Sequence, residues 1–218
     1  MFNFFKKDPE KQIEVNTYAQ FTDIYHHKFK LVLIGDCSVG KSSILYRLSN
    51  NSFLTNYNPT IGVDFSSKII EYSNGTKVKL LVWDTAGQER FRSITKNYYH
   101  DTQAHLLVFD LSDSGSFENL QYWIKEIKEY TNTSIFLIGT KKDLIKDTLI
   151  TSFLIKKFIE ENNIINYFEV SSKTSSNIDN LFHEIGSYLI NKKIKNIETN
   201  KLNINLVPVV NTKCCLWT

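Results

Sequence analysis

Lys41 and Ser42 close the segment Gly35-Asp-Cys-Ser-Val-Gly40-Lys41-Ser42, whose residue types and spacing suit the binding of a chain of phosphates. In a G-x-x-x-x-G-K-[ST] arrangement, backbone N–H groups from Ser38 through Val39 and Gly40 to Ser43 converge on phosphate oxygens at the start of a helix. Lys41 then reaches the outer phosphates, and the Ser42 hydroxyl is placed for Mg2+. A second group, Asp84-Thr-Ala-Gly87-Gln88, follows the apolar run Val78 to Trp83. An Asp that ends such a strand can hold Mg2+ through water, Gly87 can bring its N–H to a terminal phosphate, and Gln88 can orient an attacking water. A third group, Thr140-Lys141-Lys142-Asp143, offers a carboxylate able to accept both N1–H and the exocyclic amine of guanine, donors that adenine does not present together. A site built for that pair rejects the analogue that lacks it, so Asp143 points to GTP. On its own Lys-Lys-Asp is more often a solvated loop, and its weight comes from its position in the order of motifs. Ser171-Ser172-Lys173 is a weaker signal, in which the Ser172 N–H can meet the guanine O6.

These groups need a scaffold that gathers strand ends. Apolar runs near 29–34, 63–72, 77–84, 105–110, 134–139 and 166–170 alternate with helical patterns near 41–50, 117–131, 150–162 and 177–194. The alternation predicts an α/β fold: a six-stranded, mainly parallel sheet with helices on both faces, which binds ligands outside the carboxyl ends of its strands. Asn74-Gly75 lies between two strand-like runs and predicts a tight hairpin, which makes the second and third strands an antiparallel pair at one edge. Phe117, Leu120, Ile124 and Ile127, like Ile178, Leu181, Ile185 and Leu189, hold a helical spacing and read as core.

At 218 residues and 42% hydrophobic, the chain has material for one domain of about residues 29–190 with tails. A net charge of +3, with lysines spread along the chain, argues against nucleic acid as a partner. The longest apolar runs fall far short of the roughly 20 residues needed to span a bilayer. Met1 to Lys7 lacks the features of a secretory signal, and Phe2 stands where N-myristoylation needs glycine, so a cytosolic protein is expected. Residues 1–28 read as a mobile arm whose Phe2, Phe4 and Phe5 are a sticky terminus or a membrane contact. Of three cysteines, Cys37 lies in the phosphate loop and Cys214 and Cys215 are adjacent, a placement that speaks for reactivity or modification rather than a disulfide framework.

The order phosphate loop, Asn58-Pro-Thr60, Trp83-Asp-Thr-Ala-Gly-Gln-Glu89, Thr140-Lys-Lys-Asp143 and Ser171-Ser-Lys173 resembles the Ras superfamily of small GTPases, a P-loop NTPase fold, over about residues 29 to 190. Ile61-Gly-Val-Asp-Phe65, Arg90-Phe-Arg-Ser-Ile-Thr95, Tyr98-Tyr99 and the cysteine pair look like the Rab branch, whose members direct vesicle traffic. The resemblance implies GTP or GDP as the bound nucleotide and Mg2+ on Ser42, Thr60 and Asp84, with the Thr60 N–H on the γ-phosphate. It puts Phe53 against the guanine ring, Lys141 and Lys173 among the nucleotide contacts, and the second switch within Asp84 to Tyr99. Loss of the γ-phosphate would release Thr60 and Gly87 and remove the effector surface. Implied partners are an exchange factor, an activating protein, a dissociation inhibitor or escort protein, and effectors on the switches of a monomeric GTPase.

Three positions depart from the Rab pattern: Ser38 and Thr140, where Gly and Asn are usual, and His100-Asp-Thr102, where Arg-Gly-Ala is common. Some Rho-type relatives share the Thr. An Asn would bond guanine N7 and tie neighbouring loops, so the shorter Thr140 implies weaker base affinity. Cys37 and Ser38 crowd the γ-phosphate and Gln88, which implies slow hydrolysis or, as the alternative, a GTP-bound scaffold that no longer hydrolyses. A P-loop kinase is disfavoured because it needs an acceptor pocket and a mobile Arg-rich lid. Asn191 to Lys213 reads as a flexible tether. Cys214-Cys215-Leu-Trp-Thr resembles the Rab prenylation ending, so lipid anchoring to the cytosolic face of endomembranes is expected, with two unmodified thiols as the alternative.

Overall fold

The computed structural model describes residues 24–204 apart from 54, 56–59, 61, 86, 88–95 and 146–149, and for residues 198 and 200–204 it describes the backbone alone. In chain order the elements are β1 (His27–Ile34), α1 (Lys41–Asn50), β2 (Val63–Glu71), β3 (Lys77–Thr85), β4 (Ala104–Asp110), α2 (Ser114–Glu118), α3 (Leu120–Tyr130), β5 (Ser134–Thr140), α4 (Ser152–Asn162), β6 (Asn166–Glu169) and α5 (Ile178–Ile204). They build one six-stranded sheet in the order β2-β3-β1-β4-β5-β6. The β2–β3 pair is antiparallel and every other pair is parallel, as the hairpin signal and the alternation predicted. Gly75 turns the hairpin at φ +79°, a conformation that costs glycine little, and the Asn74 Oδ1 accepts from the Thr76 N–H.

Strand alternation sends neighbouring side chains to opposite faces, and both faces are covered. Leu31, Leu33, Leu106 and Val108 pack with Ile44 and Leu48 of α1 and with Ile178, Leu181, Ile185 and Leu189 of α5. Val32, Ile34, Leu107 and Phe109 pack with Leu120, Ile124 and Ile127 of α3 and Phe158 of α4, while Phe117 lies partly buried at the margin. The central strands β4 and β5 are buried at every position, as expected of parallel strands clad on both sides. Each fully buried leucine contributes about 1.5–3 kcal/mol of transfer free energy, so these layers hold the strand ends in fixed register.

Two helices differ from the sequence reading. The helix expected over 117–131 is two, parted at Asn119 and begun earlier at Ser114 by the Asp113 cap, whose Oδ1 accepts from the Gly115 N–H at 3.0 Å. The last helix does not stop near 194 but runs to Ile204, so the stretch 191–204, expected to be the start of a flexible tether, is helical. Its lysines cost little in a helix, and Ile194 and Ile197 continue the spacing of Ile190. The N-terminal residues 1–23 and the tail 205–218, with Cys214 and Cys215, lie outside the described residues.

Candidate functional site

The parallel strands all end at one edge of the sheet, and β1 ends in the phosphate loop. Gly35 stands where a Cβ would come within 2.1 Å of the Val108 carbonyl oxygen, so only glycine lets the loop leave β1 across β4. Gly40 (φ +102°) and Ser38 (φ +61°) give the loop its left-handed turns; the second is unusual for a residue with a side chain. Lys41 opens α1 with its side chain folded back into the loop, and its ammonium donates to the carbonyls of Gly35 (2.8 Å) and Asp36 (2.5 Å). Burial lowers its pKa to about 8, a shift opposed by the nearby Asp84.

Asp84, the last residue but one of β3, is fully buried. Its Oδ2 accepts from the Ser42 hydroxyl at 2.5 Å and lies 3.4 Å from the Thr60 hydroxyl, while Ser42 and Thr60 are themselves 2.8 Å apart. Its Oδ1 is buried with no hydrogen-bond partner among the described residues. Burial raises the Asp84 pKa, against the lowering effects of Ser42, Lys41 and Thr60. Such an orphaned carboxylate oxygen beside two hydroxyls is a set of hard donors suited to a small divalent cation. Gly87 lies against the same loop, because a Cβ there would come within 2.5 Å of the backbone of Asp36 and Cys37. Gln88 lies outside the described residues. Cys37 is exposed, with its sulfur 3.4 Å from the Ser38 hydroxyl.

The second half of the site is a cavity of about 280 Å3 lined by Gly40, Ser43, Phe53, Thr140, Lys141, Asp143, Leu144, Ser172 and Lys173. Every expected base-side residue meets there although the segments lie far apart in the chain. The Ser171 hydroxyl donates to Asp143 Oδ1 at 2.5 Å and accepts from the Thr174 N–H at 3.1 Å, which fixes the carboxylate. Short as it is, the Thr140 side chain ties neighbouring loops, since its buried hydroxyl reaches both the Val39 carbonyl of the phosphate loop and the Phe109 carbonyl of β4 (3.0 Å). Lys141, in a left-handed conformation, pairs with Asp110 at 2.5 Å. Burial would raise the Asp110 pKa, but hydrogen bonds from Lys141 and Ser112 outweigh it and hold the carboxyl below its ordinary value.

A phosphate loop, an oxygen cluster at the end of β3 and a base-sized cavity thus share one sheet edge, and comparison with known proteins decides the family. A model of the Ras family matches residues 30–191. Ras-related protein Rab-1 of Theileria annulata is 38% identical over 194 residues, which span 86% of this chain and 87% of that protein. Ras-related protein Rab-13 of Canis lupus familiaris is 41% identical over 170 residues (77% and 83%), and Ras-related protein Rab-1A of Dictyostelium discoideum 37% over 185 (84% and 91%). The chain is a Rab-subfamily member of the Ras family of small GTPases. It binds guanine nucleotide, hydrolyses GTP and acts as a switch in membrane traffic.

Some side chains that position the site in this Rab GTPase were not singled out from the sequence. Arg47 of α1 donates from Nε to the Ser172 carbonyl (2.7 Å), from Nη2 to the Lys173 carbonyl (3.0 Å) and from Nη1 to the Asn51 carbonyl (2.9 Å). Asp36 accepts from Trp123 Nε1 and from Asn119 Nδ2, both at 2.7 Å, which moors the phosphate loop to α3. Asp36, Ser172 and Lys173 stood inside recognised motifs, whereas nothing in the sequence marks Asn119 and Trp123 as partners of the first or Arg47 as the partner of the other two. Along the outer edge Phe65, Trp83 and Tyr98 form a row, with ring centroids 4.9 and 5.1 Å apart and Phe65 exposed.

Proposed function

We propose that the site reads guanine through Asp143, with Phe53 against the ring and the Ser172 N–H on O6. Ser38 to Ser43 and Lys173 complete the cradle, and Lys141 frames the base pocket. The observation that carries this reading is the Asp143 carboxylate, oriented by Ser171 and open to a base-sized cavity. The buried Lys41 ammonium would exchange its two carbonyl partners for outer phosphate oxygens, neutralising charge that develops during transfer. Mg2+ would be held by Ser42, Thr60 and Asp84, a proposal supported by the Asp84 Oδ1, which has no partner among the described residues. When bound, the ion supplies Lewis-acid stabilisation of the phosphate oxygens. Gln88 orients the attacking water beside Gly87, and Gly87 and Thr60 report the γ-phosphate to the switches.

In the GTP form the row Phe65, Trp83 and Tyr98 is the apolar centre of an effector surface, of the kind that anchors partner proteins. An exchange factor, an activating protein that lends an arginine, and a dissociation inhibitor or escort protein complete the cycle. No helix among the described residues is long and apolar enough to cross a membrane, so attachment is proposed through prenyl groups on Cys214 and Cys215. The domain assignment proposed is an arm over residues 1–28, a GTPase domain over about residues 29–190 that includes the first turns of α5, and a C-terminal stretch 191–218 that carries the two cysteines. A GTP-bound scaffold is the second reading, motivated by Ser38 at φ +61° beside Cys37.

The base assignment is tested by Asp143→Asn. The variant should lose GTP affinity and gain affinity for xanthosine triphosphate, whose 2-oxo group suits an amide. Unchanged GTP affinity would remove Asp143 from the site.

A further inference from the structure

The pole of the domain opposite the nucleotide carries a second pocket. Residues before β4 and β5, the start of β1 and the later turns of α5 enclose a cavity of about 440 Å3 there. Because the strands are parallel, this pole lies a full strand length, roughly 25 Å at 3.3 Å per residue, from the phosphate loop. Three of its lining residues are lysines, Lys28 from β1 and Lys192 and Lys193 from α5, and among the described residues no carboxylate lines it. None of the three is ion-paired among the described residues. Lys192 is braced at 2.8 Å by the Ser134 hydroxyl, and Lys193 lies 3.4 Å from His27 Nδ1. Burial, and then Lys193 and His26, lower the His27 pKa, in keeping with an uncompensated positive field. Asn132 and Asn196 also line the cavity, their side-chain amides with no hydrogen bond among the described residues, and the buried Phe29 adds an apolar wall. In the sequence these lysines are dispersed; the fold gathers them.

We propose that this pocket binds the headgroup of an anionic phospholipid bearing a phosphomonoester. Three ammonium groups offset the roughly −2 charge of a phosphomonoester together with the −1 of the lipid's phosphodiester, two amides suit the hydroxyls of a polyol, and Ile197, an exposed residue of α5 at the pocket, suits an interfacial contact. Choosing a lipid over a soluble phosphate rests on the reading of Cys214 and Cys215 as an anchor, since they follow in the chain after α5, whose later turns line this pocket. Bound in this way, the domain turns its nucleotide edge and its Phe65 row away from the bilayer, where partner proteins can reach them.

The test uses the full, GDP-loaded, unprenylated chain, so its outcome is independent of the anchor. Sedimentation is measured with vesicles of phosphatidylcholine alone, with added phosphatidylserine, and with added phosphatidylinositol phosphates. Binding should be strongest to the last, and Lys28→Gln/Lys192→Gln/Lys193→Gln should weaken it roughly a hundredfold, given the usual contribution of each lysine at an anionic surface. Lys125→Gln/Lys128→Gln/Lys156→Gln makes the same change in net charge on the exposed faces of α3 and α4 and should bind like the parent. Retained guanine-nucleotide affinity shows that both variants are folded. Equal losses in the two variants, no loss in the first, or a parent that ignores anionic vesicles would each overturn the proposal. So would binding of free inositol phosphates without any binding of vesicles, which would make the ligand a soluble phosphate.

Discussion

Arg47 braces the base loop from the helix that opens the phosphate site, so Arg47→Ala should loosen the grip on the base without touching any nucleotide contact. Its Nε and Nη2 hold two successive carbonyls, those of Ser172 and Lys173. A charge-assisted hydrogen bond contributes about 1.5–3 kcal/mol, and because Arg47 is only half-buried the lower figure applies, which gives about 3 kcal/mol for the pair. Part of that loss falls on the free protein and part on the complex. Nucleotide dissociation should therefore accelerate between tenfold and a hundredfold, at about 1.4 kcal/mol per factor of ten. Arg47→Lys, which cannot span both carbonyls with one planar fork, should fall between the two. The assay is release of a fluorescent GDP analogue chased with excess GDP in constant Mg2+. A dissociation rate in Arg47→Ala within twofold of the parent would show that the brace is not what holds the base loop, and the argument would fail.

Gln88→Leu should slow single-turnover hydrolysis, with and without an activating protein; an unchanged rate would remove its role in orienting water. Ser38→Gly should raise the intrinsic rate, modestly, by clearing a side chain from the γ-phosphate and relieving a left-handed residue; an equal or lower rate would show that crowding does not limit the reaction. His105 is buried, with Nδ1 2.6 Å from the Thr133 hydroxyl and no partner for Nε2 among the described residues, and burial, then the charge of Lys30, lower its pKa from 6.5 to about 3. The unfolded chain binds this proton and the fold does not, so stability falls as pH drops from 6.5 towards 3, by about 2 kcal/mol at pH 5. Urea unfolding of His105→Asn should lack that increment between pH 7.5 and pH 5. Replacing Cys214 and Cys215 by Ser should leave nucleotide binding intact and release the protein to the soluble fraction; persistent membrane association in fractionated cells would place the anchor elsewhere.

What the sequence made legible follows from how locally each signal is encoded. The phosphate loop was readable because its glycines, Lys41 and Ser42 are contiguous, and the strands because buried parallel strands are unbroken apolar runs. Asp84, Thr140 and Asp143 could be placed because they follow such runs directly. Arg47 was missed because its partners lie 125 and 126 residues away and its own surroundings read as an ordinary helix. Ser171 sat in a recognised segment, but its part in fixing Asp143 is visible only when β5 and β6 lie side by side. Composition hid the second half of α5, where lysine and asparagine suggested a tether although isoleucines kept the helical spacing. Asn119 interrupts a helical period without proline or glycine, and its contact with Asp36 gives the break a tertiary partner. Thr140 reads as a weak substitute for asparagine until its hydroxyl is seen to reach the Val39 carbonyl.

The most direct measurement is single-turnover release of phosphate from GTP-loaded protein in Mg2+, followed with and without an activating protein. A slow switch should release one equivalent of phosphate per protein at a low intrinsic rate, accelerate strongly with the activating protein, and lose that acceleration in Gln88→Leu. No release of phosphate under either condition, from protein that binds GTP normally, would contradict the account and leave the scaffold reading in its place.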